Sequence, residues 1–143
     1  MPDTAEAVRA RNLAVATRLM AEFGHDMATW LDMLHDDVVM EFPFGATIGL
    51  PTRIEGKAAC SATFEMAAGT LGVRFHDVVI EAMHDPARFL VQCRGEGGTA
   101  DNPYRQLYAT LHEYRDGRLI LFREHFDTKI ALDAFGYLGP QGG

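Results

Sequence analysis

The sequence predicts an α+β fold, and three observations predict it. Helical periodicity is confined to the first half of the chain, strand-like segments fill the second half, and those strands carry apolar residues on both faces. Segregated helices and strands exclude an alternating βαβ arrangement, and two apolar faces require that both be covered.

Each element has its own signal. Leu13, Ala16, Met20 and Phe23 fall on one helical face, with Asp3 and Glu6 ahead in capping-box spacing and Gly24 as the stop. Asp26 caps a second, shorter helix in which Met27, Trp30, Leu31 and Leu34 keep the i, i+3, i+4, i+7 pattern and His35-Asp36-Asp37 is the end, so the two helices form a hairpin. Val38–Phe42 is β-branched and aromatic and reads as a strand, followed by a loop broken by Pro43, Gly45, Gly49 and Pro51. Lys57–Ala68 is alanine-rich and helical, closed by Gly69 and Gly72. Four strands follow as an antiparallel meander: Val73–Met83, Arg88–Glu96, Tyr104–Tyr114 and Arg118–Asp127, with turns at His84-Asp85-Pro86 and Asp116-Gly117. Residues 1–138 read as one domain and 139–143 as a disordered tail.

Composition narrows the function. With 143 residues, 48% hydrophobic, the chain fills one core and has no room for a second. A net charge of -7 without a basic run argues against a nucleic-acid partner. No apolar stretch approaches the roughly 18 residues of a membrane helix, and the first residues lack the pattern of a signal peptide, so a cytoplasmic location is expected. Cys60 and Cys93 lie singly in apolar segments and read as reduced core thiols. The six histidines are scattered without ligand spacing, Ser61 and the cysteines lack evident His/Asp partners, and no phosphate-binding loop is present; neither a metal nor a cofactor is expected.

Several segments resemble a known superfamily. Asp37-Val38-Val39-Met40-Glu41-Phe42-Pro43-Phe44-Gly45, followed by Ile54-Glu55-Gly56, is similar to the first strand and glycine entry of SnoaL-like and ketosteroid-isomerase-like proteins of the nuclear transport factor 2-like superfamily. Asp116-Gly117-Arg118-Leu119-Ile120, Arg123-Glu124-His125-Phe126-Asp127 and Leu132 to Gly136 resemble the closing hairpin, Arg-Glu-aromatic strand and short terminal helix of SnoaL-like domains. Asp85 to Gly97 is also similar to the corresponding run in phenazine-biosynthesis A/B proteins. The resemblance implies a cone-shaped, strongly curved antiparallel sheet packed against the three helices of the N-terminal half, with a short C-terminal helix and a pocket for a small apolar molecule. It does not fix a reaction, because isomerases, cyclases, dehydratases, hydrolases and plain binders share this scaffold. Two positions depart from it: Phe42 stands where ketosteroid isomerases carry a catalytic Asp, and Thr63 where phenazine proteins carry a His, whereas Glu124 matches their strand-borne acid.

Glu124 is the sharpest chemical candidate. Strand alternation places it on one face with Phe122 and Phe126, where loss of water raises a carboxyl pKa toward the range useful for proton transfer. The bland alternative is a structural bond to an arginine or to the helix layer. The register of the last hairpin decides its neighbours, and two registers are open. A bulged turn, with Tyr114 opposite Arg118, pairs Tyr108 with Glu124 and brings Gln106, Thr110 and His112 onto the same face. A simple two-residue turn, with Arg115 opposite Arg118, sets Ala109 against Glu124 instead. The bulged form is preferred because it groups the hydrogen-bonding side chains around the acid. Arg123, His125 and Asp127 alternate to the other face and read mainly as salt links; Asp127 remains a second candidate carboxylate because SnoaL-like cyclases use an acid late in this strand.

Trp30, Met40, Phe42, Phe44, Phe64 and Met66 are expected inside, as core or as ligand wall, together with Phe122 and Phe126, and Tyr104 and Arg105 at the mouth beside Gly95-Glu96-Gly97-Gly98. The expected activity is cofactor-free acid/base catalysis on a small apolar carbonyl or polyketide-like compound, with Glu124 as acid/base and Tyr108 and Gln106 as donors; the alternative is a non-catalytic ligand-binding or dimerisation module. A homodimer is expected, buried through the sheet face that carries Leu119 and Leu121.

Overall fold

The computed structural model describes residues 2–140. Helix α1 spans Ala5–Glu22 and begins at Thr4, whose hydroxyl accepts from the Ala7 amide at 3.1 Å. The expected cap, Asp3, instead pairs with Arg11 at 2.8 Å. Asn12, Ala16, Leu19 and Met20 form the buried stripe of α1. Asp26 caps helix α2, Met27–Asp32, by accepting from the Thr29 amide. Trp30 locks the two helices together: it is 1% exposed, and its indole N–H donates to the Leu19 carbonyl at 2.8 Å.

Helix α2 ends two residues before Leu34, the last position of its apolar spacing. Leu34 opens strand β1, Leu34–Glu41, because it pairs with Leu119 and the Leu119 amide donates to the Met33 carbonyl at 2.8 Å. A short 3-10 helix at Gly45–Ile48 and strand β2, Arg53–Glu55, occupy the region read as loop. Helix α3 covers Lys57–Ala68, followed by β3 at Arg74–Ala82, β4 at Arg88–Gly98, β5 at Pro103–Arg115, β6 at Arg118–Phe126 and helix α4 at Thr128–Phe135. The segment Gly95 to Gly98, read as a loop, is the end of β4, paired through Gly95–Gln106 to Gly98–Pro103. After α4, the Leu138 amide donates to the Ile48 carbonyl at 2.7 Å. Part of the expected disordered tail, residues 141–143, lies outside the described residues.

The six strands form one sheet in the order β2-β1-β6-β5-β4-β3. Two expectations are corrected. The sheet is mixed, because β1 runs parallel to β6, a pairing open to it since most of the chain, and no hairpin, connects the two. It is also not strongly curled: β2 and β3 are free edges, and the register shifts at His76/Val79 and Glu113/Tyr114 bend strands locally without closing the sheet. Glu41 holds the junction β2-β1-β6 from the outer face, accepting from Arg53 and from Arg123 at 2.7 Å each.

The last hairpin combines features of both registers. Asp116 and Gly117 have φ of 53° and 72°, making a two-residue turn with Arg115 opposite Arg118. The ladder then slips inside the strands, where Tyr114 pairs with Leu119, Glu113 pairs with Leu121, and Ile120 is the unmatched residue. The preferred pairing of Tyr108 with Glu124 is thereby corrected: Thr110 is opposite Glu124 and Tyr108 is opposite Phe126. Because one extra residue reverses which side chains point inward, the face predicted for Gln106, Tyr108, Thr110 and His112 is nevertheless the one that Glu124 shares. The same slip turns Leu119 into the core, where it is fully buried beside Leu34, so Leu119 does not belong to an outer face; Leu121 does.

Candidate active site

The inner face of the sheet, α3, α4 and the 3-10 segment enclose a cavity of about 100 Å³. Its walls are built by strand alternation. Phe122, Glu124 and Phe126 come from β6, Tyr104 and Tyr108 from β5, Phe75 from β3 and Met40 from β1. Phe64 and Thr63 contribute from α3, Phe42 from beyond β1, and Phe135 from α4. Met66 and Leu138 line the cavity and are 44% and 40% exposed, so it reaches the surface between α3 and the segment after α4.

Glu124 is the one carboxylate in the lining, which contains no Lys, Arg or His. Its side chain has neither a hydrogen bond nor an ion pair with any described residue, and its remaining accessibility is partial. Burial among hydrocarbon disfavours the charged form and pushes its pKa up to about 8. A carboxyl left unpaired in such surroundings is costly, which singles it out from the ion-paired Glu41 and Glu113.

The hydroxyls of Tyr104 and Tyr108, four residues apart on the same strand face, are hydrogen-bonded at 2.8 Å. Burial raises the Tyr104 phenol to about 12 and moves Tyr108 upward as well, with the nearby Glu124 charge adding to both, so both remain O–H donors at neutral pH. Cys93, opposite Tyr108 on β4, is raised to about 12 by burial and then by Glu124, and is an unreactive thiol. Gly95 gives Tyr108 its place, since a Cβ there would lie 2.3 Å from Tyr108 Cε2.

The other predicted residues lie elsewhere. Asp127 caps α4, its Oδ1 accepting from the Lys129 and Ile130 amides at 2.9 and 3.2 Å. Gln106 is engaged with the backbone of Asp127: its amide N–H donates to the Asp127 carbonyl at 2.8 Å, and its oxygen accepts from the Asp127 amide at 3.0 Å. Gln106 is absent from the cavity lining, and Tyr104 takes the place expected of it. Trp30 lies in the core behind Phe64, with ring centroids 4.5 Å apart. Thr110 is buried outside the lining, and Phe44 is 56% exposed, edge-on to His125. His112 is fully buried one layer deeper, its Nδ1 2.9 Å from the Tyr114 hydroxyl and its Nε2 without a partner among the described residues. Sequence reasoning missed Phe23, Phe75 and Phe135 as wall residues; Phe135 stacks on Tyr104 at 4.6 Å, a contact that spacing along the chain does not encode. Among the described residues, no three His, Cys, Asp or Glu side chains converge.

An open mixed sheet with helices on the inner face, and a cavity between them holding one acid, define an α+β protein of the nuclear transport factor 2-like fold. The chain belongs to the SnoaL-like domain family, whose profile matches residues 16–122. It is 30% identical over 131 residues to an uncharacterised PhzA/B-like protein of Pseudomonas aeruginosa, covering 90% of this chain and 92% of that one. The crystal structure of a phenazine biosynthesis-related protein of Pseudomonas aeruginosa superposes with a TM-score of 0.80 at 21% identity, over 97% of this chain and 94% of the other. TerC co-crystallised with polyporic acid superposes with a TM-score of 0.72 at 20% identity, over 87% and 97% of the two chains.

Proposed function

We propose that this chain is an enzyme that moves a proton within a small uncharged carbonyl compound, as an isomerase, cyclase or dehydratase does, using only groups in its cavity. The observation that carries the reading is an unpaired carboxyl, Glu124, sharing an aromatic cavity with the hydrogen-bonded hydroxyls of Tyr104 and Tyr108. In its ionised form Glu124 takes a proton from the carbon beside the carbonyl. The electron pair of that C–H bond forms the enolate, and the charge arriving on oxygen is met by the Tyr108 O–H, itself polarised by Tyr104. Glu124 then returns the proton to a different carbon, giving an isomer, or to a departing hydroxyl, giving water and an alkene.

The aromatic wall excludes water and holds the reacting ring or chain. The volume of about 100 Å³ is below the roughly 150 Å³ of an apolar hole that admits benzene, so the compounds expected are no larger than a single substituted ring, with the exposed Met66 and Leu138 at the rim giving way. The test is turnover of small cyclic enones and 3-hydroxy ketones. Glu124→Gln is expected to lower kcat by at least about 10²-fold and Tyr108→Phe by about 10²–10³-fold. Activity of the wild type should rise with pH to a plateau above about 8, where Glu124 is ionised. A substrate turned over equally well by Glu124→Gln sinks the proposal.

We also propose that two copies pair through the outer sheet face. Val79 and Leu107 are 50% and 58% exposed there, with Leu90, Leu111 and Leu121 half-buried on the same face, apolar side chains that a second copy would cover.

A further inference from the structure

We propose that the same cavity is a receptor site for lipophilic monoamines, compounds with one aromatic ring and one ammonium group. The proposal uses Glu124 but not its catalysis, so it stands or falls apart from the proton-transfer reading. Three features carry it. The lining can hold one charge, and that charge is negative, since Glu124 is its sole carboxylate and it has no basic side chain. That carboxyl has no partner of its own among the described residues. Rings make up nearly half of the lining residues, with Phe42, Phe64, Phe75, Phe122, Phe126 and Tyr108 contributed by several different elements.

An aromatic face is the negative end of the ring quadrupole, so a wall of rings attracts a cation and opposes an anion. A protonated amine entering such a space finds a carboxylate to accept one N–H as a charge-assisted bond, and the Tyr104 and Tyr108 oxygens to accept others. An isosteric alcohol finds the same walls and no ion pair. An isosteric carboxylate meets Glu124 with nothing to neutralise either group, at a cost that apolar contact does not repair. Charge therefore ranks the ligands as amine, then alcohol, then acid.

Ligation also has a proton signature. At pH 7 Glu124 is mostly protonated, so a charged amine binds with expulsion of the Glu124 proton to solvent, leaving a carboxylate–ammonium pair. The other titratable groups facing Glu124 do not contribute between pH 6 and 8. Tyr104, Tyr108 and Cys93 stay protonated because burial raises them, and His112, behind Phe122, stays neutral because burial lowers it to about 3. No titratable side chain faces the cavity from α3, α4, β1 or β3.

Calorimetry with benzylamine, benzyl alcohol and benzoate tests this on the full chain. Benzylamine affinity is expected to rise about tenfold from pH 6 to pH 7 and to level off above pH 8, with close to one proton released at pH 6 as read from buffers of different ionisation enthalpy. Benzyl alcohol should bind more weakly and without pH dependence, and benzoate should not bind. Glu124→Gln should keep its affinity for benzyl alcohol, which shows the cavity intact, and lose at least about tenfold for benzylamine at pH 8. The proposal is overturned if benzylamine affinity ignores pH, if Glu124→Gln binds benzylamine as wild type does, or if benzylamine fails to bind at millimolar concentration. None of these outcomes bears on whether Glu124→Gln abolishes turnover of an enone, which decides the catalytic reading separately.

Discussion

The ring of Tyr108 occupies the space that a side chain on Gly95 would need: a Cβ on Gly95 would meet Tyr108 Cε2 at 2.3 Å and Cδ2 at 3.2 Å. Gly95 is thus a site residue without a side chain. Gly95→Ala is expected to push the Tyr108 ring off the wall and part its hydroxyl from Tyr104. Overpacking of this kind costs about 1–3 kcal/mol, readable as a lower urea midpoint, and it should lower turnover more than Gly97→Ala, which clashes instead with the Leu71 carbonyl. Equal activity in Gly95→Ala and wild type would show that the position of Tyr108 is immaterial.

Glu124 and His112 impose opposite pH dependences on stability. The Glu124 pKa is raised by burial from 4.5 to about 8, so the folded state holds its proton more tightly than the unfolded one. That contribution is complete below about 4.5 and is lost as pH climbs through 8. His112 is lowered by burial from 6.5 to about 3, so its contribution is present above 6.5 and is lost as pH falls toward 3. Stability should therefore peak between about pH 5 and 6.5. Glu124→Gln should raise the melting temperature at pH 9 and leave it nearly unchanged at pH 4.5. A Glu124→Gln melting curve parallel to wild type from pH 5 to 9 would contradict burial of this carboxyl.

Asp127 and Gln106 are expected to act through the placement of α4, which brings Phe135 against Tyr104. Asn caps a helix as well as Asp does, so Asp127→Asn should retain both stability and activity, while Asp127→Ala loses about 1 kcal/mol. Gln106→Leu removes both bonds to the Asp127 backbone and should raise amide exchange throughout α4. Loss of turnover in Asp127→Asn at full stability would assign Asp127 a chemical role instead.

The proposed pairing of two copies has a simple mutational check. Leu107→Glu places a charge at the most exposed leucine of the outer sheet face and should yield a monomer by sedimentation, with the cavity on the opposite face unchanged. Wild-type protein that already sediments as a monomer at micromolar concentration removes the pairing.

Much of this was legible in residue patterns, and the failures have a common cause. Alternation along β5 and β6 put Glu124 with Phe122, Phe126 and Tyr108, since side-chain direction in a strand is a local property. What local patterns missed were long-range relationships. Leu34 fits the helical spacing of Met27, Trp30 and Leu31, yet pairing with Leu119 draws it into a strand. The unmatched Ile120 sits within a continuous apolar run, Leu119 to Phe122, where nothing marks one residue as extra. Gln106 and His112 were read correctly as inward and polar, but whether an inward polar group meets a ligand or another protein atom depends on partners such as the Asp127 backbone and Tyr114, distant or unannounced in sequence.

The parallel contact of β1 with β6 has a consequence for the order in which the molecule assembles. Apart from the three-residue β2, the only strand bonded to β1 among the described residues is β6, so β1 has no long strand to join until the chain has been made beyond Leu121. The first strand therefore waits for the last, and contacts this distant along the chain slow folding. Nascent chains halted before Arg118 should remain protease-sensitive in Leu34–Glu41, and protection there should appear once the last strand emerges.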